Sequence, residues 1–236
     1  MINHALVLAA GLGTRLRPLT LTRAKPAMPI GGEPLVRRIL RWLANEHVDD
    51  VVVNLHYLPH TITAVVGDGS DLGVRVRYSW EQPLILGSAG GPRRALSIIG
   101  ARSFFLVNGD TLTDLPLAPL ARDHESSGAL VTIALIPNLE PDRYGGARLD
   151  EHGRIIEFAA RGASAVGSFH VIGVQAAVAE AFAGLKDGEP ANSVRGLYEQ
   201  LIATQPGSVR GYVCHATFWD IGTPEDYAAT DAAFRV

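Results

Sequence analysis

Little cysteine, no long apolar run and nearly balanced charge set the first limits on this protein. Cys214 is the only cysteine among the 236 residues, which excludes an intramolecular disulfide and any metal site built from several cysteines. No apolar run approaches the roughly 20 residues that a helix needs to cross a bilayer, and residues 1–3 lead directly into a strand-like segment rather than a signal peptide. The net charge of −3 leaves no large basic surface for nucleic acid or anionic lipid. We expect a cytoplasmic protein with no membrane or nucleic-acid partner.

Apolar residues make up 47% of the chain, which is enough for a sizeable core. The apolar patterns predict strands at residues 5–8, 51–54, 74–78 and 104–108, a helix over residues 34–44 and another helix from Pro59. The last of these strands is apolar until its end, as expected for a central strand buried on both faces. Alternating strands and helices predict an α/β fold, namely a three-layer sandwich around a mostly parallel Rossmann-like sheet, in one domain over residues 1–236.

A small antiparallel insert is predicted after this parallel core. Residues 147–149 turn at residues 150–153 into residues 154–158, a pattern typical of a β-hairpin. An insert of this kind often carries a second substrate pocket.

A glycine-rich segment, AAGLGTRLRP at residues 9–18, follows the first predicted strand. Bare backbone amides can approach an anion closely, so the segment is a candidate phosphate site. A dinucleotide fingerprint would need a third glycine where Leu16 stands, and an acid where the second strand ends at Asn54. A P-loop would need a Gly-Lys-Ser/Thr triplet, which the sequence lacks. Two interpretations stay open: a loop that wraps a triphosphate, with Arg15 and Lys25 as its cations, or a plain tight turn.

Several segments, in order along nearly the whole chain, resemble the sugar-1-phosphate nucleotidylyltransferase family. The first, LAAGLGTRLRPLT at residues 8–20 followed by Lys25 and Pro26, closely resembles the family signature. The others are GDGS at 67–70, LGSAG at 86–90, VNGD at 107–110 and WDIGTPEDY at 219–227. The length suits compact single-domain members, such as the mannose or heptose 1-phosphate guanylyltransferases and the muramate 1-phosphate uridylyltransferase.

The resemblance implies transfer of a nucleotidyl group from a nucleoside triphosphate to a sugar 1-phosphate, which releases pyrophosphate and forms an NDP-sugar. Both substrates are polyanions, so catalysis would depend on charge neutralisation and positioning. The resemblance gives catalytic roles to Arg15, Lys25, Asp110 and Asp220. Asp110 and Asp220 together would hold Mg²⁺, which needs few protein carboxylates when substrate oxygens complete its shell. Asp110 follows a buried strand, at the carboxyl edge where open α/β sheets place their ligands.

The resemblance also implies the substrate contacts. The nucleotide-binding residues would be Leu8, Ala10, Gly11, Gly13, Thr14, Arg15, Gln82, Gly87 and Ser88. Gln82 carries both donors and an acceptor, so it could read a base edge. Several members place a glutamine here for a pyrimidine, while Leu-Gly-Ser/Thr-Ala-Gly is frequent in guanylyl-transferring members, so GTP and UTP both stay open. The sugar-binding residues would be Asn108, Tyr144, Gly145 and Glu157.

Two positions depart from the family pattern. Many members continue the glutamate with Lys-Pro, whereas Glu157 is followed by Phe158, and Arg161 is the candidate replacement for the lysine. Val171 stands where a small glycine is usual, which would narrow the sugar pocket. We expect a nucleotide-binding half over about residues 1–135 and a sugar-binding half over about residues 136–220, with a homodimer among the expected assemblies.

Two alternatives come from other functional classes. A non-catalytic nucleotide-sugar-binding regulatory homologue would be expected to lose the phosphate or metal residues, and all four catalytic candidates are present. A dinucleotide-dependent oxidoreductase would share the parallel sheet, but the glycine-rich segment fails its fingerprint.

Overall fold

A nine-stranded mixed sheet lies at the centre of the computed structural model, which describes residues 2–235. The strands are β1 His4–Leu8, β2 Pro29–Ile30, β3 Glu33–Pro34, β4 Asp50–Leu55, β5 Arg75–Trp80, β6 Ser103–Asn108, β7 Thr111–Thr113, β8 Val131–Pro137, β9 Gly146–Leu149, β10 Ile155–Ala159, β11 Phe169–Val178, β12 Val209–Val213 and β13 Phe218–Asp220. The helices are α1 Leu35–Asn45, α2 Pro59–Val66, α3 Gly87–Ile99, α4 Leu117–Ser127, α5 Glu180–Ala183, α6 Glu199–Thr204 and α7 Pro224–Ala233. Met1 and Val236, which the predicted domain includes, lie outside the described residues.

The strand pairing confirms the predicted α/β class with a parallel centre. β1 pairs in parallel with β4 and with β6, and β4 pairs in parallel with β5. β11 pairs antiparallel with β6, and the hairpin β9–β10 extends the sheet from β11. The predicted insert is therefore antiparallel, and it continues the main sheet at one end.

Helices cover both faces of this sheet. In β1, Ala5 and Val7 pack with one apolar cluster and Leu6 with the opposite one, and all three are at most 1% exposed. α1, α2 and α4 contribute to the first cluster, whereas α3, α5 and α6 contribute to the second. This is the predicted three-layer sandwich.

Apolar spacing and capping explain where the helices form. In α1, Leu35, Ile39 and Leu43 lie one turn apart and are at most 1% exposed, so the helix buries one stripe. α7 begins after Thr223, whose side chain accepts from the Asp226 N–H, while the Asp226 side chain accepts from the Thr223 N–H. α3, with 13 residues, is the longest helix among the described residues, and none of these helices is long and apolar enough to span a membrane.

The carboxyl ends of β1, β4 and β6 meet at one edge of the sheet. Leu8 in β1 lies opposite Asn54 in β4 and opposite Asn108 in β6. Polar residues at the ends of apolar strands are thereby brought side by side. This is the edge at which open parallel sheets bind ligands.

Candidate active site

A cleft of about 340 Å³ opens at this edge, beside the glycine-rich loop and the start of α3. It brings together most of the residues predicted from the sequence, namely Leu8, Ala10, Gly11, Gly13, Thr14, Arg15, Lys25, Gly87, Ser88, Asn108 and Asp110. Asn54, Glu81 and Gly222 also line the cleft, and none of the three is among the predicted site residues. The predicted phosphate loop and the ends of three parallel strands therefore share one concave surface.

The glycine-rich loop contains one glycine that the fold requires and one that it does not. Gly13 has a φ of +62°, a left-handed conformation, and Thr20 Oγ1 donates a hydrogen bond of 2.8 Å to its carbonyl oxygen. At Gly11, an added Cβ would meet no atom of residues 2–235 within 4 Å. Packing within the protein leaves room at Gly11, so close approach of a ligand is what would favour glycine there.

Lys25 and Asp110 form an ion pair in the cleft. Lys25 Nζ lies 2.8 Å from Asp110 Oδ2, with the two side chains 9% and 36% exposed. A buried ammonium needs such a partner, because removing it from water unpaired is costly. Two residues predicted to be catalytic therefore contact each other directly, although 85 positions separate them in the sequence.

Strand pairing places Asp220 near Asp110. β13 pairs antiparallel with β7, with Asp220 opposite Thr111. Burial raises the pKa of Asp220, the charge of Asp110 raises it further, and the charges of Lys25 and Arg15 lower it. The two carboxylates and two cations predicted as catalytic thus form one interacting cluster.

Gly222 allows Arg15 and Asp220 to approach each other. An added Cβ at Gly222 would lie 2.8 Å from an Asp220 carboxylate oxygen and 3.0 Å from Nη1 of Arg15. These separations are shorter than normal packing contacts, so a larger residue would displace the carboxylate or the guanidinium. Arg15 is exposed, which leaves its planar set of donors accessible to a phosphate.

Asp110 and Asp220 are the residues that could hold a divalent cation. Carboxylate oxygens are hard donors, and one or two of them suffice for Mg²⁺ when substrate and water supply the rest. Within residues 2–235, no three His, Cys, Asp or Glu side chains gather as a metal site, so the two aspartates are not part of a larger protein cage. Burial raises the pKa of Asp220 and the charge of Asp110 raises it further, so a cation bound between these carboxylates would offset both costs. The donor set fits a cation that is shared with substrate.

In the loop before α3, Gln82, the predicted base contact, and the preceding Glu81 lie in different surroundings. The Gln82 side chain is exposed and does not line the cleft, whereas the preceding Glu81 is fully buried and does. Glu81 Oε1 accepts from Asn54 Nδ2 at 2.6 Å, and Oε2 accepts from the Leu86 N–H at 2.7 Å. The one sequence signal for Asn54 is its place at the end of an apolar strand. Nothing local indicates that its partner lies 27 residues further on.

Ser88 lines the cleft but is already hydrogen-bonded within the protein. Its Oγ accepts from the Ser193 N–H at 2.9 Å and lies 2.9 Å from the Ser193 hydroxyl. The carbonyl of Ala191 accepts from the N–H groups of Ala89 and Gly90 at 2.9 and 3.2 Å. A distant segment therefore fixes the first turn of α3.

A second cavity, of about 310 Å³, is lined by Asp220 and Tyr144. Tyr144 Oη lies 3.5 Å from Asp220 Oδ2, and its ring centroid is 4.2 Å from that of His170. Burial raises the pKa of Tyr144 to about 12, so the hydroxyl keeps its proton at neutral pH. Gly145 and Glu157 line neither of these two cavities, and the Glu157 side chain is 61% exposed on β10. Of the predicted sugar contacts, the structure places Asn108 in the cleft and Tyr144 in this cavity.

The small residue beside Asn108 is Gly173. The register between β11 and β8 shifts between Val171 and Gln175. Gly173, within this shift, has a φ of +76°, and an added Cβ would lie 2.9 Å from Asn108 Nδ2. Val171 lines neither of the two cavities, and the glycine that lies against Asn108 is Gly173, in the irregular part of the strand.

Comparison with known proteins identifies relatives along nearly the whole chain. The family model described as Nucleotidyl transferase matches residues 4–234. Mannose-1-phosphate guanylyltransferase of Mycobacterium tuberculosis is 31% identical over 229 residues, which cover 97% of this chain and 63% of that protein. N-acetylmuramate alpha-1-phosphate uridylyltransferase of Neisseria meningitidis serogroup B is 42% identical over 111 residues, which cover 47% of this chain and 48% of that protein. The matched region thus spans less than two thirds of the length of each of these curated relatives.

The fold is shared with a solved structure of HddC from Yersinia pseudotuberculosis. The TM-score is 0.85 at 22% identity, with 99% of this chain and 100% of that chain covered. This structural similarity shows a shared fold, and the match to the family model is the evidence from sequence for membership of the family. The cleft, its glycine-rich loop and its charged cluster all lie within the matched residues, and the chain belongs to the nucleotidyl transferase family.

Proposed function

We propose that this chain transfers a nucleotidyl group from a nucleoside triphosphate to a sugar 1-phosphate and releases pyrophosphate. The observation that carries the proposal is the cluster of Arg15, Lys25, Asp110 and Asp220 beside a glycine-rich loop. Cations near a phosphate loop, together with paired carboxylates, are what a reaction between two polyanions needs. Membership of the nucleotidyl transferase family supports this assignment.

In the proposed reaction, an oxygen of the sugar 1-phosphate attacks the α-phosphorus of the triphosphate. A new P–O bond forms, and the bond from the α-phosphorus to the bridging oxygen breaks as pyrophosphate leaves in line. Arg15, exposed at the cleft, would bind the departing phosphates through its planar set of donors. Lys25, held 2.8 Å from Asp110, would contact the phosphates at the reaction centre. No side chain needs to form a covalent intermediate.

Asp110 and Asp220 would hold Mg²⁺ in this reaction. The ion would offset phosphate charge and orient the two substrates. Lys25 and Arg15 would supply positive charge that does not depend on the ion. The contact with Asp110 holds the Lys25 ammonium in the cleft.

We place the sugar 1-phosphate on the side of the cluster where the second cavity lies. Tyr144 lines that cavity and approaches Asp220, while Asn108 lines the nucleotide cleft. Gly145 and Glu157 remain proposed sugar contacts. The single domain with its two halves, the homodimer and the cytoplasmic location also remain predictions.

GTP and UTP both remain candidate donors. The mycobacterial relative is named a guanylyltransferase and the neisserial relative a uridylyltransferase, so both bases occur among similar proteins. Because the Gln82 side chain is exposed and does not line the cleft, we propose only a minor contribution from it to base choice. Backbone groups from Leu8 to Gly11 and at Gly87 would then read the base.

The test is a turnover screen of the purified chain with Mg²⁺. GTP, UTP, dTTP and ATP are each paired with a panel of sugar 1-phosphates, and pyrophosphate and NDP-sugar are both quantified. We expect equal amounts of the two products and a clear preference for one triphosphate. Binding of nucleotides or NDP-sugars without pyrophosphate release from any pair would contradict the proposal and favour a regulatory homologue.

A further inference from the structure

A chain of buried hydrogen bonds joins the two loops that border the nucleotide cleft. The Ala9 N–H donates to Asn54 Oδ1 at 2.6 Å, and Asn54 Nδ2 donates to Glu81 Oε1 at 2.6 Å. The Leu86 N–H donates to Glu81 Oε2 at 2.7 Å. Ala9 stands between Leu8 and Ala10 in the glycine-rich loop, and Leu86 directly precedes Gly87 and Ser88. All four of these neighbours line the cleft.

Both side chains in this chain of bonds are buried and have a hydrogen-bond partner on each side. Asn54 is 2% exposed and Glu81 is fully buried. The amide of Asn54 must present its oxygen to one backbone donor and its NH₂ group to a carboxylate, so only one orientation satisfies both partners. Buried polar groups that lose a partner are costly, which makes this arrangement specific for asparagine facing glutamate.

Helix α3 is shaped to leave space for this pair. An added Cβ at Gly91 would lie 2.5 Å from Glu81 Oε1 and 2.8 Å from Asn54 Nδ2. Even an alanine at this position would therefore displace the hydrogen-bonded atoms.

We propose that Asn54 and Glu81 are positioning residues that fix the distance between the glycine-rich loop and the start of α3, and thereby set the nucleotide cleft for the nucleoside triphosphate. The inference rests on the proposed function for the identity of the ligand. Asn54 and Glu81 act through the backbone of Ala9 and Leu86, and the sugar 1-phosphate side of the site does not depend on them.

Single substitutions break the chain in defined ways. Asn54→Asp puts a second carboxylate against Glu81. Glu81→Gln leaves an NH₂ group that must face either Asn54 Nδ2 or the Leu86 N–H, both of which are donors. Each variant should raise the KM of the preferred triphosphate by about tenfold or more. The KM of the sugar 1-phosphate should stay within about threefold of the wild-type value, because its contacts are untouched.

The double variant Asn54→Asp, Glu81→Gln restores every bond with the polarity of the pair reversed. The carboxylate at position 54 accepts from the Ala9 N–H and from the new amide, whose oxygen accepts from the Leu86 N–H. The double variant also keeps the wild-type net charge. Its triphosphate KM should return to within about threefold of wild type, a rescue that independent damage at two sites would not produce.

A matched control exists just before the starts of strands β1 and β4. There Asn3 Nδ2 donates to Asp49 Oδ2 at 3.3 Å, and both residues are exposed. Asn3→Asp creates the same carboxylate pair in water and should leave both KM values unchanged.

Kinetics are measured at a temperature at which circular dichroism shows each variant folded, with calorimetric triphosphate affinity as a second readout. Equal rises in both KM values, unchanged KM values in the single variants, or a double variant as impaired as the sum of the two would overturn the positioning role. If a single variant does not fold, the folded double variant decides alone: near-normal triphosphate affinity supports the role and weak affinity overturns it. Absence of pyrophosphate release from the wild type would instead defeat the proposed function, and triphosphate affinity would still report on positioning.

Discussion

Strands β1, β4 and β5 place an asparagine–carboxylate pair at each end of the parallel sheet, and the two pairs lie in opposite surroundings. At the amino edge, Asn3 and Asp49 are exposed and their side chains are 3.3 Å apart. At the carboxyl edge, Asn54 and Glu81 are at most 2% exposed and 2.6 Å apart. Water can replace either partner of the first pair, whereas the side chains of the second pair are almost fully buried where they line the cleft. The hydrogen bond between asparagine and carboxylate can therefore be lost at little cost at the amino edge, whereas its loss at the carboxyl edge leaves buried polar groups unpaired.

The carboxylates at the two edges also differ in their charged partners and in the direction of their pKa shifts. At the amino edge, Arg75 donates hydrogen bonds of 2.8 and 2.6 Å to Asp50 and lowers the pKa of that carboxyl. At the carboxyl edge, burial and the charge of Asp110 raise the pKa of Asp220. Charges at the amino edge are satisfied within the protein, whereas those at the carboxyl edge include an unfavourable carboxylate pair. Such an arrangement is typical of a site that awaits cations and phosphates.

The largest expected effect comes from removing a carboxylate at the carboxyl edge, where we propose the active site. Asp110→Asn and Asp220→Asn should each lower kcat at least about a hundredfold, because each would remove a proposed charged ligand for Mg²⁺. Asp50→Asn at the amino edge should retain wild-type turnover. Steady-state assays at limiting Mg²⁺ measure kcat for all three variants. Near-normal turnover of Asp110→Asn or Asp220→Asn would show that this aspartate is wrongly assigned.

The next largest effect is expected at Arg15, and it distinguishes a role in the departure of pyrophosphate from a role in general substrate binding. Arg15→Ala should lower kcat/KM by about tenfold or more, and by a larger factor than it weakens affinity for the NDP-sugar product. The product has already lost pyrophosphate, so it lacks the groups that Arg15 would hold. Product inhibition constants supply the comparison, and Arg75→Ala at the amino edge is the control. Equal losses in both quantities would assign Arg15 to general binding.

The two edges should also respond oppositely to pH. Because the pKa of Asp50 is lowered below its ordinary value of 3.8, its contribution to stability is complete above that pH and is lost as the pH falls through the folded-state pKa. Burial raises the pKa of Glu81 above its ordinary value of 4.5, so its contribution is complete below that pH and is lost as the pH rises through the folded-state pKa.

Urea unfolding between about pH 2 and pH 7, a range that extends well below the ordinary Asp value of 3.8, would reveal these opposite slopes. On acidification, the stability difference between wild type and Asp50→Asn, about 1 kcal/mol at most, should shrink. The difference between wild type and Glu81→Gln should grow over the same range. Slopes of the same sign would show that the two carboxyls do not lie in contrasting surroundings.

The smallest effect is expected at Gln82. Gln82→Ala should change the ratio of kcat/KM for GTP and UTP by less than about threefold, because an exposed side chain outside the lining of the cleft would gain little from the base. A tenfold narrowing of the preference would show that the loop turns Gln82 onto the base, as the family resemblance implies.

Local patterns predicted the parts of the molecule that depend on nearby residues. The strand at residues 104–108, the helix from Pro59 and the hairpin at residues 147–158 follow from apolar spacing and turn residues, and the structure has them as β6, α2 and β9–β10. The glycine-rich loop was recognisable because its whole motif is contiguous. In such segments the local sequence is enough to predict the local structure.

The remaining features depend on contacts between distant positions. Ser88 meets Ser193 across 105 residues, and Asn54 meets Glu81 across 27, so no local window contains either pair. The contact of Gly173 with Asn108 depends on a register shift, which apolar alternation does not reveal. Contacts between residues that are far apart in the sequence determine where these side chains lie. A single sequence does not show which distant residue each of them contacts.

The fate of labelled phosphorus tests the central claim that the carboxyl edge is a nucleotidyl transfer site. The preferred triphosphate, labelled at either the α- or the γ-phosphorus, is incubated with Mg²⁺, the preferred sugar 1-phosphate and the chain, with Asp220→Asn as the control. We predict that the α-label appears in the NDP-sugar, that the γ-label appears in pyrophosphate, and that the control forms little of either product. Transfer of the γ-label to the sugar, or its release as inorganic phosphate without NDP-sugar, would contradict the account.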